Sequence, residues 1–160
     1  MELSGQIFIP LSKERVWQAL NDPAVLEKAT PGCRELRPAG ADRYQAVVEL
    51  GIAAVKGRYE GTLEIAERQP PDRYRLRLAG SGGPGFVEAE LEVALEEGEG
   101  GTTVRYTGQA QVGGPIAAVG QRVLGGVAKL IMGDFFKALA REAAAAASTA
   151  PQSQPQPPKS

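Results

Sequence analysis

The sequence predicts an α+β fold: a curved antiparallel sheet of about seven strands around a long C-terminal helix, with two short helices after the first strand. Three observations point there. Apolar residues recur with a period of two from about residue 31 to residue 113, in runs separated by clusters of Pro, Gly and Asp. Residues 12–29 hold two short helical patterns, and residues 120–147 hold one long one.

Residues 2–9 alternate toward Leu3, Ile7 and Ile9, and Pro10 ends the strand. Ser12 is the expected N-cap of a helix that carries Arg15, Val16, Trp17, Ala19 and Leu20 and stops near Asn21-Asp22-Pro23. A second helix is expected over 23–29, beginning at Pro23, whose missing N–H is no loss in a first turn. Thr30-Pro31-Gly32-Cys33 then returns the chain to extended structure.

In the strands that follow, Tyr44, Ala46, Val48 and Leu50 share a face, and Val55, Gly57, Tyr59, Gly61, Leu63 and Ile65 oppose Lys56, Arg58, Glu60 and Glu64. Tyr74, Leu76 and Leu78 oppose Arg73, Arg75 and Arg77, while Val87, Ala89, Leu91, Val93 and Leu95 oppose Glu88, Glu90 and Glu92. The turns PAGAD, QPPD, SGGPG and EGEGG are short, so consecutive strands form an antiparallel meander with one dry face and one wet face. The glutamate row pairs with the arginine row across a hairpin, which argues against a phosphate site there. SGGPG is no phosphate cradle either, because a strand follows it in place of a helix. The last helix is expected to start after Gly114, with Pro115 in its first turn, and the domain spans residues 1–147. Residues 148–160, rich in Pro and Gln, are expected to be a disordered tail. This order of elements is that of a helix-grip domain.

The 160 residues carry 18 basic and 19 acidic side chains, a net charge of −1, so no basic balance points to nucleic acid. There is no histidine, which removes the commonest general base and metal ligand. Cys33 stands alone, so neither an intrachain disulfide nor a cysteine metal site is expected, and its thiol reads as a packed group. The first residues do not read as a signal peptide, and no run of about 20 apolar residues could span a bilayer. A soluble, cytoplasmic protein is expected.

The stretches TPGCRELRPAG, KGRYEG, TTVRYTGQAQVGGP and GDFFKAL resemble the CoxG family, named for a subunit of carbon monoxide dehydrogenase, over residues 2–142. That family lies in the START and birch-pollen-allergen-like (SRPBCC) superfamily of helix-grip proteins. The resemblance implies a non-catalytic accessory protein of an aerobic molybdenum-containing carbon monoxide dehydrogenase or a related molybdenum hydroxylase. It would hold a hydrophobic ligand, a respiratory quinone or other isoprenoid lipid, with no covalently bound cofactor. It would link the oxidoreductase to the electron-transport chain at the inner face of the cytoplasmic membrane. Some relatives carry a longer C-terminal extension ending in a hydrophobic segment, and the short polar tail here favours a soluble shuttle.

Small residues on the dry face, Gly57 and Gly61 beside Tyr59 and Gly108 and Ala110 beside Tyr106, leave a volume that either a ligand or those tyrosines fill. The ligand-binding residues expected on the sheet are Val48, Val55, Gly57, Tyr59, Gly61, Leu78, Leu91, Tyr106, Gly108 and Val112. On the final helix, plotted at about 100° per residue, they are Ile116, Val119, Gly120, Val123, Leu124, Val127 and Ile131, with Leu130 and Asp134 in the same arc. Such a lining suits a ring with an isoprenoid tail, with Tyr59 or Tyr106 as the donor to a carbonyl. Gly126 and Gly133 fall on the opposite side with Arg122, Lys129 and Ala140, and Gly125 lies at the border. Arg122, Gly126, Lys129 and Gly133 are the expected docking surface for a partner protein or an anionic membrane. Two other functions stay open. One is an enzyme of the same superfamily, a cyclase or hydrolase of aromatic or polyketide substrates, using Asp134 and Tyr59. The other is an assembly or docking factor whose pocket is incidental.

Overall fold

A computed structural model describes residues 1–153 of the chain, with side chains as far as Ala145. Strand β1 (Glu2–Ile9) leads into helices α1 (Lys13–Leu20) and α2 (Pro23–Ala29). Ser12 Oγ accepts from the Arg15 N–H at 3.3 Å and Asp22 Oδ1 from the Ala24 N–H at 3.0 Å, so side chains cap both helices. Strands β2 (Cys33–Pro38), β3 (Arg43–Leu50), β4 (Gly57–Gln69), β5 (Arg73–Gly82), β6 (Gly85–Gly98) and β7 (Gly101–Gly113) follow, and α3 (Gln121–Ser153) closes the fold. The sheet order is β1-β7-β6-β5-β4-β3-β2, with every neighbouring pair antiparallel. Six strands therefore form the expected meander, and α1 and α2 carry the chain from one sheet edge, β1, to the other, β2.

The register aligns inward-facing residues in rows across the sheet. At one end of the strands these rows are packed: Ile65, Leu91, Val93 and Val104 form one hydrophobic cluster with Val16 and Leu20 of α1 and Phe136 and Leu139 of α3. Trp17 meets Tyr74 edge-on at 5.6 Å between ring centroids, and Tyr106 stacks on Phe136 at 5.9 Å. The Tyr106 ring lies over Gly5 of the edge strand, where a Cβ would sit 2.5 Å from the phenol oxygen. We term this the closed end. Val55, Tyr59, Ala110, Ile116 and Leu124 are also buried, but outside that cluster, toward the other end of the strands.

The outer face is a network of ion pairs. Arg77 Nε lies 2.7 Å from Glu90 and also reaches Glu64 and Glu67, Arg75 meets Glu67 and Glu90, and Arg73 meets Glu92. The arginine row is thus neutralised as expected, except that Glu64 and Glu67 of β4 stand in for Glu88, which the register places opposite Ala79.

Two features depart from the periodic reading. Pro115–Val119 is a separate 3-10 turn, and α3 begins only at Gln121. Gly120 occupies the joint at φ +92°, a backbone that glycine adopts freely and a right-handed helix cannot contain, so it is not a helix-interior glycine. This joint breaks the phase between Ile116 and Val119 and the helix proper. In consequence α3 buries Leu124, Phe136, Leu139 and Ala143, whereas Val123 and Leu130 are 44% and 50% exposed and Asp134 faces solvent. The helix turns to bury the larger surface of Phe136 and Leu139 against α1 and α2. α3 extends to Ser153, and residues 154–160 of the expected tail lie outside the described residues.

Candidate functional site

Beyond the closed end, the inner face of the sheet is apolar but half-exposed. One row across it reads Ala46, Gly61, Gly80, Val87, Val112, and the next reads Tyr44, Leu63, Leu78, Ala89, Ala110. All of these except Ala110 keep partial exposure on the side of the sheet that at the closed end is fully buried. Apolar side chains facing an unfilled space are the basis of a ligand-binding interior. Val55, Tyr59, Ile116 and Leu124 are buried toward this open end, outside the closed core. The Tyr59 hydroxyl donates to the Val55 carbonyl at 2.7 Å, and the Ile116 N–H donates to the Pro84 carbonyl at 2.8 Å.

At the end of β7 lies a half-open cleft of about 420 Å³ lined by Ala110, Gln111, Val112, Phe86, Ala117, Gln121, Leu124 and Met1. That volume lies within the range of small-molecule sites, about 300–1,000 Å³.

Several expected binding residues take part in this arrangement. Val48, Leu78, Val112, Val127 and Ile131 are half-buried, and Val55, Tyr59, Ile116 and Leu124 are buried outside the closed core. Others do not. Leu91 and Tyr106 belong to the closed core, and Val119 and Val123 are 37% and 44% exposed. The three strand glycines leave no pocket. A Cβ at Gly57 would lie 2.5 Å from Pro84, at Gly61 1.9 Å from the Ala79 carbonyl, and at Gly108 1.9 Å from the Glu90 carbonyl. These glycines permit close approach of neighbouring chain, and so shape the sheet without opening room for a ligand. Gly80, with only ordinary contacts around it, is the glycine that does leave space. The alternation that ends RYRLRLAG placed it on the dry face, two residues after Leu78. Gln111, Gln121 and Phe86 were missed because periodicity assigns them to the wet face or to a helix start.

The chemistry of the site is that of binding surfaces. Burial pushes the phenols of Tyr59 and Tyr106 upward, so both are neutral, and the Tyr59 donor is already engaged. Burial likewise raises the Cys33 thiol, which lies 3.5 Å from the Glu35 carbonyl and stays protonated. Among the described residues, no three His, Cys, Asp or Glu side chains converge to hold a metal ion. On the outer side of α3, Arg122, Gly126 and Lys129 are exposed and Gly133 half-exposed, and no neighbouring atom lies within 4 Å of where a Cβ would stand at Gly125, Gly126 or Gly133. No helix among the described residues is long and apolar enough to cross a membrane.

A seven-stranded curved sheet gripping one long helix over a partly open apolar face defines a helix-grip protein. Comparison with known families places it further: the family model for the carbon monoxide dehydrogenase subunit CoxG matches residues 5–144, and the chain belongs to that family. A conserved protein from Geobacillus kaustophilus, solved by crystallography, is 44% identical to it over 91% of this chain and 97% of its own, with a TM-score of 0.89. Proteins from Thermus thermophilus (18% identity over 91% of this chain and 99% of that one, TM-score 0.68) and Chromobacterium violaceum (17%, over 89% and 96%, TM-score 0.66) share the fold. No curated protein matches the sequence.

Proposed function

We propose that this protein is a non-catalytic accessory of a carbon monoxide dehydrogenase or related molybdenum hydroxylase. In that role it carries a hydrophobic ligand, a respiratory quinone or other isoprenoid lipid, toward the membrane electron-transport chain. The observation that carries the ligand reading is the half-exposed apolar inner face beyond the closed core, with Val55, Tyr59, Ile116 and Leu124 buried near it. Membership of a family named for a carbon monoxide dehydrogenase subunit supports the partner. The absence of histidine from the sequence, the solvent-facing Asp134 and the protonated Cys33 thiol favour carriage over catalysis. Arg122, Gly126, Lys129 and Gly133 form the exposed strip by which α3 meets its partner or an anionic membrane surface.

Native mass spectrometry of protein incubated with decylubiquinone-loaded vesicles tests the reading. A stoichiometric quinone adduct is expected, and protein that emerges ligand-free at saturating quinone would refute it. Arg122→Glu with Lys129→Glu is expected to abolish co-purification with the molybdenum enzyme while retaining the adduct.

A further inference from the structure

We propose that the cleft beside the end of β7 holds the polar ring of the ligand, so that the ring sits at the protein surface and the chain runs inward across the sheet. This rests on the carrier reading above. The interior row leading to the cleft, Ala46, Gly61, Gly80, Val87 and Val112, has no polar side chain, and the Tyr59 hydroxyl is engaged by the Val55 carbonyl. A carbonyl oxygen placed there would lose its water and gain no donor, whereas an alkyl or isoprenoid chain loses nothing.

The donors stand at the rim instead. Gln111 on β7 and Gln121 in the first turn of α3 are exposed and line the same cleft, and their side-chain amides make no hydrogen bond to the protein among the described residues. Each amide offers two N–H donors and one acceptor. Ala110, Val112 and Leu124 supply apolar parts of the cleft lining. The Phe86 ring, 44% exposed, lies over Gly113, where a Cβ would sit 2.3 Å from it, and supplies an aromatic face at the mouth. No charged side chain lines the cleft; the Met1 ammonium borders it and gives one of its three N–H donors to the Ala110 carbonyl at 2.9 Å. The chemistry that fits is a planar ring bearing carbonyl acceptors. A ring held there is reachable by a partner protein while the apolar chain stays sheltered. Tyr44, the other inward phenol, stands on β3, four strands from β7, about 19 Å away at the usual strand spacing.

The test is displacement of the fluorescent apolar probe N-phenyl-1-naphthylamine from the full chain by decylubiquinone, and by dodecylbenzene, which keeps a ring and a chain but lacks carbonyls. Gln111→Leu and Gln121→Leu are each expected to weaken decylubiquinone about three- to tenfold, the worth of one hydrogen bond, and the double variant further. Dodecylbenzene should compete equally in every variant. Equal decylubiquinone affinity in wild type and double variant would overturn the ring subsite alone, as would loss on Tyr44→Phe with both glutamine variants unaffected. Failure of decylubiquinone to displace the probe from the wild type would overturn the carrier reading with it.

Discussion

At the closed end, the strand residues Ile65, Leu91, Val93 and Val104 have at most 2% of their surface exposed, whereas farther along the same sheet Val48, Leu78, Val87 and Val112 stay half-exposed. The alternation of apolar and polar residues is equally regular at both ends. What differs is the element laid over the sheet. The part of α3 above the closed end carries Phe135, Phe136 and Leu139, backed by α1 and α2. The part nearer its start buries only Leu124, with Val127 and Ile131 half-exposed. One helix thus fills a core with its second half and leaves an interior unfilled with its first. A periodic strand states which face is dry, and the partner's side-chain volume decides whether that dryness comes from protein or is left to a ligand.

Breaking the closed end should give the largest effect. Phe136→Ala is expected to cost about 3–5 kcal/mol, as for large-to-small changes in packed cores. Val112→Ala at the open end should cost under about 1 kcal/mol, because little packing is lost. Equal losses in chemical denaturation would erase the distinction between the two ends.

Two glycines facing each other in one row sharpen the same contrast. Gly61→Ala drives a Cβ into the Ala79 carbonyl and is expected to cost about 1–3 kcal/mol, while Gly80→Ala on the next strand should stay within about 0.5 kcal/mol. Gly80→Leu should then exclude decylubiquinone at unchanged melting temperature.

In the loosely packed half of α3, Gly125→Ala and Gly126→Ala should each stabilise the protein by about 1 kcal/mol, since helix propensity improves and no neighbour obstructs the new methyl. Gly120→Ala should do the opposite, because its φ of +92° is strained for alanine. A loss of stability at Gly125 or Gly126 would mean that the helix start is tightly packed after all.

The closed end also carries a pH signature. Desolvation pushes the buried Tyr74 phenol far above the ordinary tyrosine range, while the unfolded chain ionises near about 10. Its folded-state pKa is the higher one, so the stabilisation is complete below about pH 10 and is lost as the pH climbs beyond it. Thermal melts from pH 9 to 11 should show a fall that Tyr74→Phe makes shallower, and identical slopes would contradict the assignment.

The smallest effect is expected on the outer face. Arg77→Ala removes a pair with Glu90 at 2.7 Å that is bathed in solvent, and the melting temperature should barely move in moderate salt.

Much of this was legible in the residues. Ser12 and Pro23 mark the short helices, the turn clusters separate the strands, and the Arg73, Arg75, Arg77 row announced its carboxylate partners. Part of the apolar inner face was legible too, through Val48, Leu78, Val112, Ile116 and Leu124, which are half-buried or buried. The glycines were not. Gly57, Gly61 and Gly108 look like vacancies in an alternating strand, and only neighbouring chain in space shows that Pro84, Ala79 and Glu90 come close to them. Phe86 and Gln111 escaped because a wet-face position at a strand end can wrap into a cleft that periodicity does not see.

By itself, then, the sequence determined the elements, their order and the dry face of the sheet, because strand period, helix caps and turn residues act over a few neighbouring positions. Only the tertiary structure decided which face α3 turns inward. The positive φ of Gly120 resets the helix phase, and the burial of Phe136 and Leu139 against α1 and α2 then chooses the rotation. That rotation leaves Leu124 as the one buried residue of α3 before Phe136, above a half-exposed stretch of sheet, because burial free energy follows the largest apolar side chains and leaves the rest of the helix where their packing puts it.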